Sequence, residues 1–371
     1  MNYPFAKPYF SDELELKAIN EVYDSGIFVH GTKSKKFEEN FRSFTGSKTA
    51  SSVANCTVGL HLAHHILSSS KKGKVICPAM THVATANAIV LSGNVPVFVD
   101  CELESGNIDI QKIKEVIDDT FVGISIVHFN GSPCNMNELM DIASTYNLYL
   151  VEDCALAVGA KYENTHVGLF GDFGCFSFHP AKQLCTGEGG MIISKDDHQE
   201  AVDLMKAFGV DRSFTERLSP GQYDVSEIGF NYRMPEIPAA LGLEQMKKAD
   251  SILEQREKNY QTYLKDEELA SRALMQPNGS SRYSFIFLLD SNQDRASLQN
   301  HLSSNGIGSS VYYPSPVPNF LKYREMSFEQ TDIRNALKIS THSIAMPVGP
   351  HLTTNDIDQI TKVISNFIKT S

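Results

Sequence analysis

From residue 74 onward the chain alternates short β-rich runs with helical patterns, and few folds can accommodate that order. "KVIC" precedes a helical pattern over residues 81–91, then come "VPVFVD" and "VGISIVHF", and a second helical pattern covers residues 136–146. "LYLVED", "CFSF" and "GMIIS" follow, ahead of a third helix over 197–208. Apolar runs bounded by turns and separated by helices predict a mostly parallel sheet covered on both faces, so the main domain is α/β. A charged helix over 247–264 leads into a second set: strand 283–289, helix 294–303, strand 309–313, helix 328–339 and a final helix from Thr353. These elements predict a smaller α+β unit. The expected division is a large domain over 1–249 and a small one over 250–371.

The 33 basic and 44 acidic residues give a net charge of −11, and lysines and arginines never run beyond two neighbours. Nucleic acid is therefore not the expected partner; a small molecule is. Seven cysteines are scattered singly without a CxxC pair, as suits a reducing compartment. The N-terminal "MNYPFAKPYFSDELELK" has no basic stretch followed by an apolar one, and no window approaches about 18 uninterrupted apolar residues. A cytoplasmic protein with no membrane association is the expectation.

In open α/β sheets ligands bind at the carboxyl ends of the strands, which directs attention to the polar residues that end each apolar run. Glu152 and Asp153 follow "LYLV", His82 follows "KVICPAMT", and His179 and Lys182 follow "CFSF". Motifs for nucleotide cofactors are missing. "DFG" at 172–174 lacks the other kinase signatures, "GEGGM" fails GxGxxG, and GxxxxGK[ST] does not occur. His61, His64 and His65 share helical spacing, which points to a packed or solvated helix face, and no metal is expected there. A lysine, a carboxylate at a strand end and a helix start with hydroxyls answer instead to pyridoxal phosphate. Such a cofactor needs an amine for a Schiff base and a carboxylate to keep its ring nitrogen protonated. Lys182 and Asp153 suit those roles. In "VANCTVGLHLAHHIL" Cys56, Thr57 and Val58 open an apolar helix where a phosphate can sit, and Ser177 adds a hydroxyl. The glycines after Lys182 read as backbone that lets a bulky ligand approach closely.

The segments "VANCTVGLHLA", "PAMTHVATANAIVLSGNVPVFVD", "IVHFNGSPCNMNEL", "VEDCALAVGAKY", "GDFGCFSFHPAKQLCTGEGGMI", "GFNYRMPEIPAALGLEQM" and "AMPVGPHLT" resemble, in order, those of the DegT/DnrJ/StrS-type sugar aminotransferases. The resemblance implies the fold of aspartate aminotransferase, fold type I, with a three-layer α/β/α large domain on a mostly parallel mixed sheet. It implies that Lys182 bonds to pyridoxal phosphate, that Asp153 meets the pyridine nitrogen and that His82 stacks on the ring. Thr57, Val58 and Ser177 would hold the phosphate, and Asn231 would reach the phosphate of the neighbouring subunit in a homodimer with shared sites. The implied reaction carries an amino group from L-glutamate to a keto sugar for surface polysaccharide, with a nucleotide-linked 3- or 4-keto-6-deoxyhexose the first choice. Alternatives are a free keto or aldehyde sugar, a sugar 3-dehydratase, whose branch carries histidine in place of the lysine, and a non-catalytic regulator that holds the cofactor. Lys33, Lys35, Arg212, Arg233 and Arg282 are candidates for a nucleotide's phosphates. Two departures stand out: Leu156 replaces a glutamine expected on the ring hydroxyl, and Tyr312 and Pro318 replace histidines near the substrate.

Overall fold

The computed structural model describes residues 2–10, 13–210, 223–290 and 293–370, so Arg212 lies outside the described residues. Its strands are β1 (Thr49–Val53), β2 (Lys74–Pro78), β3 (Val95–Val99), β4 (Phe121–Val127), β5 (Tyr149–Asp153), β6 (Lys161–Tyr162), β7 (Thr165–His166), β8 (Phe173–Ser177), β9 (Gly190–Ser194), β10 (Phe285–Leu288) and β11 (Ser343–Met346). The helices used below are α1 (Glu13–Ser25), α2 (Thr32–Thr45), α3 (Cys56–Leu67), α4 (Val83–Leu91), α5 (Ile110–Val116), α6 (Met136–Tyr146), α7 (Gln199–Lys206), α8 (Glu236–Met246) and α9 (Ala249–Tyr263).

Seven strands form the main sheet in the order β1-β9-β8-β5-β4-β2-β3. Pairings β2 with β3 and β4, β4 with β5, and β5 with β8 are parallel, whereas β8 with β9 and β9 with β1 are antiparallel. This is the mixed, mostly parallel sheet expected. Successive residues of β8 and β9 point into different cores: Cys175 and Ile192 pack with Leu60 of α3, and Phe176, Met191 and Ile193 pack with Phe37 and Phe41 of α2. Helices therefore cover both faces, and burying each such side chain stabilises by about 1.5–3 kcal/mol.

Local chemistry sets the helix ends. Asn55 caps α3 by accepting from Val58 N–H at 3.1 Å, and Asn135 caps α6 by accepting from Glu138 N–H. Gly31 precedes α2 and offers no side-chain cap, so buried Glu236 reaches across to accept from Lys33 N–H (2.7 Å) and Ser34 Oγ (2.6 Å).

The C-terminal part centres on the antiparallel pair β10–β11. Its core holds Tyr263, Phe285, Ile344, Ile360 and Ile364, with the Tyr263 and Phe285 rings stacked at 4.6 Å. Tyr3 joins that core and exchanges backbone hydrogen bonds with Gly306 and Gly308, both 2.8 Å. A further core draws on both parts, packing Val75 and Phe98 with Leu274, Ile286 and Ala345.

Three expectations need correction. No strand forms over 309–313: Ser310 alone bridges to Ala345, and Pro314 and Pro316 lead into a short 3-10 turn at Val317–Asn319. The helix expected over 328–339 starts only at Arg334, because residues 329–331 are drawn onto the edge strand β3; Phe98 N–H donates to Glu329 O and Thr331 N–H to Phe98 O, each 2.9 Å. The helix expected over 247–264 begins at Ala249, after the separate helix α8.

Glu152 and Asp153, adjacent at the end of β5, part to opposite sides, as neighbours in a strand must. Glu152 is fully buried and accepts from the N–H groups of Gly168 (2.7 Å), Phe170 (2.8 Å) and Gly171 (2.8 Å) and from His128 Nε2 (2.9 Å). Cys134 N–H donates to His128 Nδ1, which leaves the ring proton on Nε2, facing the carboxylate. Burial alone would raise the Glu152 carboxyl, but the His128 bond and the backbone N–H groups outweigh it and hold it below the usual range. With the folded value depressed, this stabilisation is complete above the ordinary carboxylate value of 4.5 and is lost as pH falls through the folded one. Glu152→Gln should therefore cost about 3 kcal/mol by chemical denaturation at pH 7. The difference from wild type should narrow below about pH 4.5.

Candidate active site

The carboxyl ends of β5 and β8 and the first turns of α3 and α4 meet in one place. Asp153, 3% exposed, ends β5; its Oδ2 accepts from Thr85 Oγ1 at 2.7 Å and its Oδ1 from Ala155 N–H at 3.0 Å. Because Thr85 donates to the carboxylate, its oxygen is left to accept from Thr81 Oγ1, also at 2.7 Å. The carboxylate is thus fixed by groups from two elements and keeps lone pairs for a further donor.

Lys182 is half-buried, with Nζ 5.2 Å from the centroid of the Tyr283 ring. Burial pushes its ammonium below the ordinary lysine range, while the Asp153 carboxylate, Cys56 and Glu188 pull it back up. His82 caps α4, its Nδ1 accepting from Ala84 N–H at 3.2 Å, and its ring lies 5.7 Å from that of Tyr313. Burial lowers the His82 imidazole, Asp153 opposes the shift, and Lys182 and His179 add to it. Lys182, Asp153, His82 and His179 therefore lie close enough for each charge to act on the next.

At the start of α3, Val58 N–H is taken by the Asn55 cap and Gly59 N–H by Asn55 O (3.3 Å). Among the described residues this leaves the N–H groups of Cys56 and Thr57 without a protein partner, two donors at the positive end of a helix. The Cys56 thiol turns inward toward Cys175 O, and burial, with Asp153 nearby, pushes its pKa far up, so it stays neutral. Ser177, at the end of β8, is buried and pairs with Gly190. A Cβ at Gly190 would stand 2.6 Å from the carbonyl carbon of Asn55 and 2.7 Å from Cys56 N. That glycine serves the close approach of β9 to the start of α3 rather than the approach of a ligand, which corrects its sequence reading. Gly187, by contrast, has φ +85° and open space around it.

Asn231 is exposed, in a segment that pairs with the chain between β1 and α3, where Ala54 N–H donates to Tyr232 O at 2.8 Å. Its Oδ1 accepts from Arg233 Nε at 3.0 Å, and Arg233 also contacts His30 and lies 4.8 Å from the Phe208 ring centroid. Arg282 is not available at a site mouth: it is buried, paired with Glu257 at 2.8 Å and stacked on Tyr260. The helix-face histidines pack with aromatics, His64 between Tyr149 and Ser125, and His61 against Tyr232. His128, Glu152 and Cys154 cluster closely enough for a metal, yet Glu152 already receives four donors.

Sequence reasoning missed Thr85, Tyr283 and Tyr313. Thr85 carries a signal, sitting one helical turn from Thr81 behind His82. Tyr283 carries none, since it arrives from the far end of the chain, whereas Tyr313 stands next to Tyr312, which the resemblance sets near the substrate. At Leu156 the side chain is buried, and its carbonyl accepts from Gln183 Nε2 at 2.6 Å.

The sequence model of the DegT/DnrJ/EryC1/StrS aminotransferase family matches residues 10–365. The chain belongs to that family. It is 33% identical over 361 residues to the GDP-perosamine synthase of Escherichia coli O157:H7, covering 95% of each chain. Helicobacter pylori PseC, an aminotransferase involved in the biosynthesis of pseudoaminic acid, superimposes with a TM-score of 0.92 at 25% identity over 100% of both chains. The Escherichia coli GDP-4-keto-6-deoxy-D-mannose-3-dehydratase with bound hydrated PLP gives a TM-score of 0.88 at 29% identity, over 98% of this chain and 99% of that one. The fold is type I, and the protein is a pyridoxal phosphate-dependent sugar aminotransferase. The residues present fit that cofactor: a buried carboxylate with spare lone pairs, a desolvated lysine, and unpaired N–H groups at a helix start.

Since Asp153 raises the Lys182 pKa, Asp153→Asn should lower it further. In protein stripped of cofactor, the pH midpoint of Lys182 acetylation, followed by peptide mass spectrometry, should move down in the variant. An unchanged midpoint would mean that the two groups do not interact.

Proposed function

We propose that this enzyme transfers the amino group of L-glutamate to a nucleotide-linked 3- or 4-keto-6-deoxyhexose, supplying amino sugars for surface polysaccharide. The observation that carries the reading is the desolvated Lys182 amine, held between the Tyr283 ring and the charge of the Asp153 carboxylate. The likeness to GDP-perosamine synthases supports a nucleotide-linked acceptor. The likeness to a 3-dehydratase favours a second reading; Lys182, where the family resemblance implies histidine for that branch, supports transamination.

Pyridoxal phosphate, when bound, supplies an electron sink and carries the amino group between the two half-reactions. Asp153, oriented by Thr85 and Ala155, would set its negative charge against the ring nitrogen and keep it protonated. Cys56 and Thr57 N–H and the Ser177 hydroxyl would hold the phosphate, with Val58 N–H joining only by giving up its cap. His82 would flank the ring. Lys182 Nζ, with its pKa lowered by burial, is neutral in a larger fraction of molecules near neutral pH than an ordinary lysine. It can therefore take the proton from the carbon that bears the donor's amino group and return it when the acceptor is aminated. Lys33, Lys35 and Arg233 remain the candidates for the nucleotide's phosphates, although Lys33 also pairs with Glu21.

The active unit in this reading is a homodimer in the cytoplasm, each chain divided near residue 250, with Asn231 serving the partner's phosphate site. Its supports are the position of Asn231 on an exposed face beside Arg233 and Phe208, and uncovered apolar side chains: Ile228, 83% exposed and three residues away, and Ile27, Phe28 and Val29, which precede the His30 that Arg233 contacts. All seven cysteines are free and buried, as suits a reducing compartment. Among the described residues no helix is long and apolar enough to cross a membrane.

Adding L-glutamate to cofactor-loaded enzyme should bleach the bound cofactor's visible absorbance, and a nucleotide-linked keto sugar should restore it. Restoration by a free sugar alone would move the acceptor assignment, and indifference to every amino donor would defeat the reading. Lys182→Ala and Asn231→Ala should each fold and lose at least 100-fold in activity. Mixing the two variants should recover roughly a quarter of wild-type turnover if sites are shared between subunits, and none if each chain is self-sufficient.

A further inference from the structure

A cavity of about 710 Å³ lies apart from the site described above, and none of Lys182, Asp153, His82 or Tyr283 borders it. Its walls come from the loops after β3 and β4, from β6, from the end of α9 and from residues 270–278, so it sits where the sheet meets the C-terminal part. Two backbone bonds join those walls: Met275 N–H donates to Glu104 O at 2.7 Å and Lys161 N–H to Gly279 O at 2.8 Å. Small molecules occupy pockets of roughly 300–1,000 Å³ that are largely apolar and carry a few fixed polar groups.

Here the polar groups lack partners. Tyr260, which lines the cavity, is 3% exposed and packs its ring against Phe285 (5.6 Å) and under the Arg282 guanidinium (4.4 Å). Its hydroxyl makes no hydrogen bond among the described residues, although solvent still reaches it. Gln276, 9% exposed, donates through Nε2 to Ser284 O at 2.8 Å and leaves Oε1 unpartnered. Ser132 Oγ is buried and unpartnered as well, and both residues line the cavity. Oxygens left in this state cost free energy that a ligand bringing hydroxyl groups can recover. Tyr162, Pro133 and Pro277 add flat apolar wall, which suits the C–H face of a pyranose ring.

The rim is acidic. Glu102 and Glu163 accept only from neutral groups, Ser105 Oγ at 2.7 Å and Asn137 Nδ2 at 3.1 Å, and Lys161 is the one cation among the lining residues. A phosphate is repelled by such a rim, whereas an ammonium group is drawn to it. A polyamine would answer the carboxylates and leave Tyr260 and Gln276 unpaired; a plain sugar would do the reverse. We infer that this cavity is a second ligand site and takes an amino sugar, its ammonium toward Glu102 and Glu163 and its hydroxyls on Tyr260 and Gln276. The cavity stands without the chemistry at Lys182, but the supply of an amino sugar to it rests on the aminotransferase reading above.

Equilibrium dialysis of cofactor-loaded enzyme against radiolabelled glucosamine tests the site, with glucose as the same hydroxyls without the charge and putrescine as charge without hydroxyls. Wild type should bind glucosamine saturably, and glucose and putrescine at least fivefold more weakly. Tyr260→Phe, which removes one hydroxyl and keeps the ring, should weaken glucosamine at least fivefold; Glu102→Gln with Glu163→Gln should bring it to the level of glucose. Ala270→Trp, which fills the cavity, should abolish binding. Bleaching of the cofactor by L-glutamate should be the same in every variant. If A270W does not fold, Y260F and the double carboxylate variant decide. No saturable glucosamine binding, equal binding of glucose or putrescine, or binding unchanged in Y260F would overturn the assignment. Glucosamine binding that follows these variants, in an enzyme whose cofactor no amino donor bleaches, would instead defeat the aminotransferase reading and leave the site standing.

Discussion

The site depends on a carboxylate and an ammonium group of opposite charge held where water is scarce. Asp153 is buried and oriented by Thr85 and Ala155, and its charge partly offsets what burial does to Lys182. Without Asp153 the lysine would lose its proton more readily; without the burial it would behave as a surface lysine and be protonated near neutral pH. The balance leaves an amine that can both give and take a proton. The neighbouring Glu152 shows how the strand end is kept in place for this purpose, tying His128 and the loop around residues 168–171 to β5 from the opposite side.

Much of this was legible in the chain. The alternation of apolar runs and helices predicted the mostly parallel sheet because strands buried on both faces must be continuously apolar; its antiparallel pairs came only with the family resemblance. Lys182, Asp153 and His82 could be singled out because ligands sit at strand ends, which can be read from where apolar runs stop, and Cys56 because it opens an apolar helix. Position relative to a distant segment was not legible. Residues 329–331 leave a helical pattern to satisfy the edge of β3, a demand made by groups over 200 residues away. Tyr283 and Tyr313 reach the site from the C-terminal part, so no local spacing betrays them. Gly190 was read as room for a ligand because its neighbour in space, the Asn55–Cys56 backbone, lies far off in sequence.

The C-terminal part closes the site as well as packing beside it. It brings the Tyr283 ring to Lys182 and the Tyr313 ring to His82, and it shares a core with β2 and β3 through Leu274, Ile286 and Ala345. That shared core sets the aromatic side chains against the strand ends as part of folding, which favours a site shaped in advance over one assembled on binding.

The central claim is that Lys182 is the lysine to which the cofactor bonds. Borohydride fixes pyridoxal phosphate irreversibly to the amine it occupies, and peptide mass spectrometry then locates it. The account predicts the added mass on the peptide that contains Lys182, absent from Lys182→Ala; the mass on any other lysine, or on none, would contradict it.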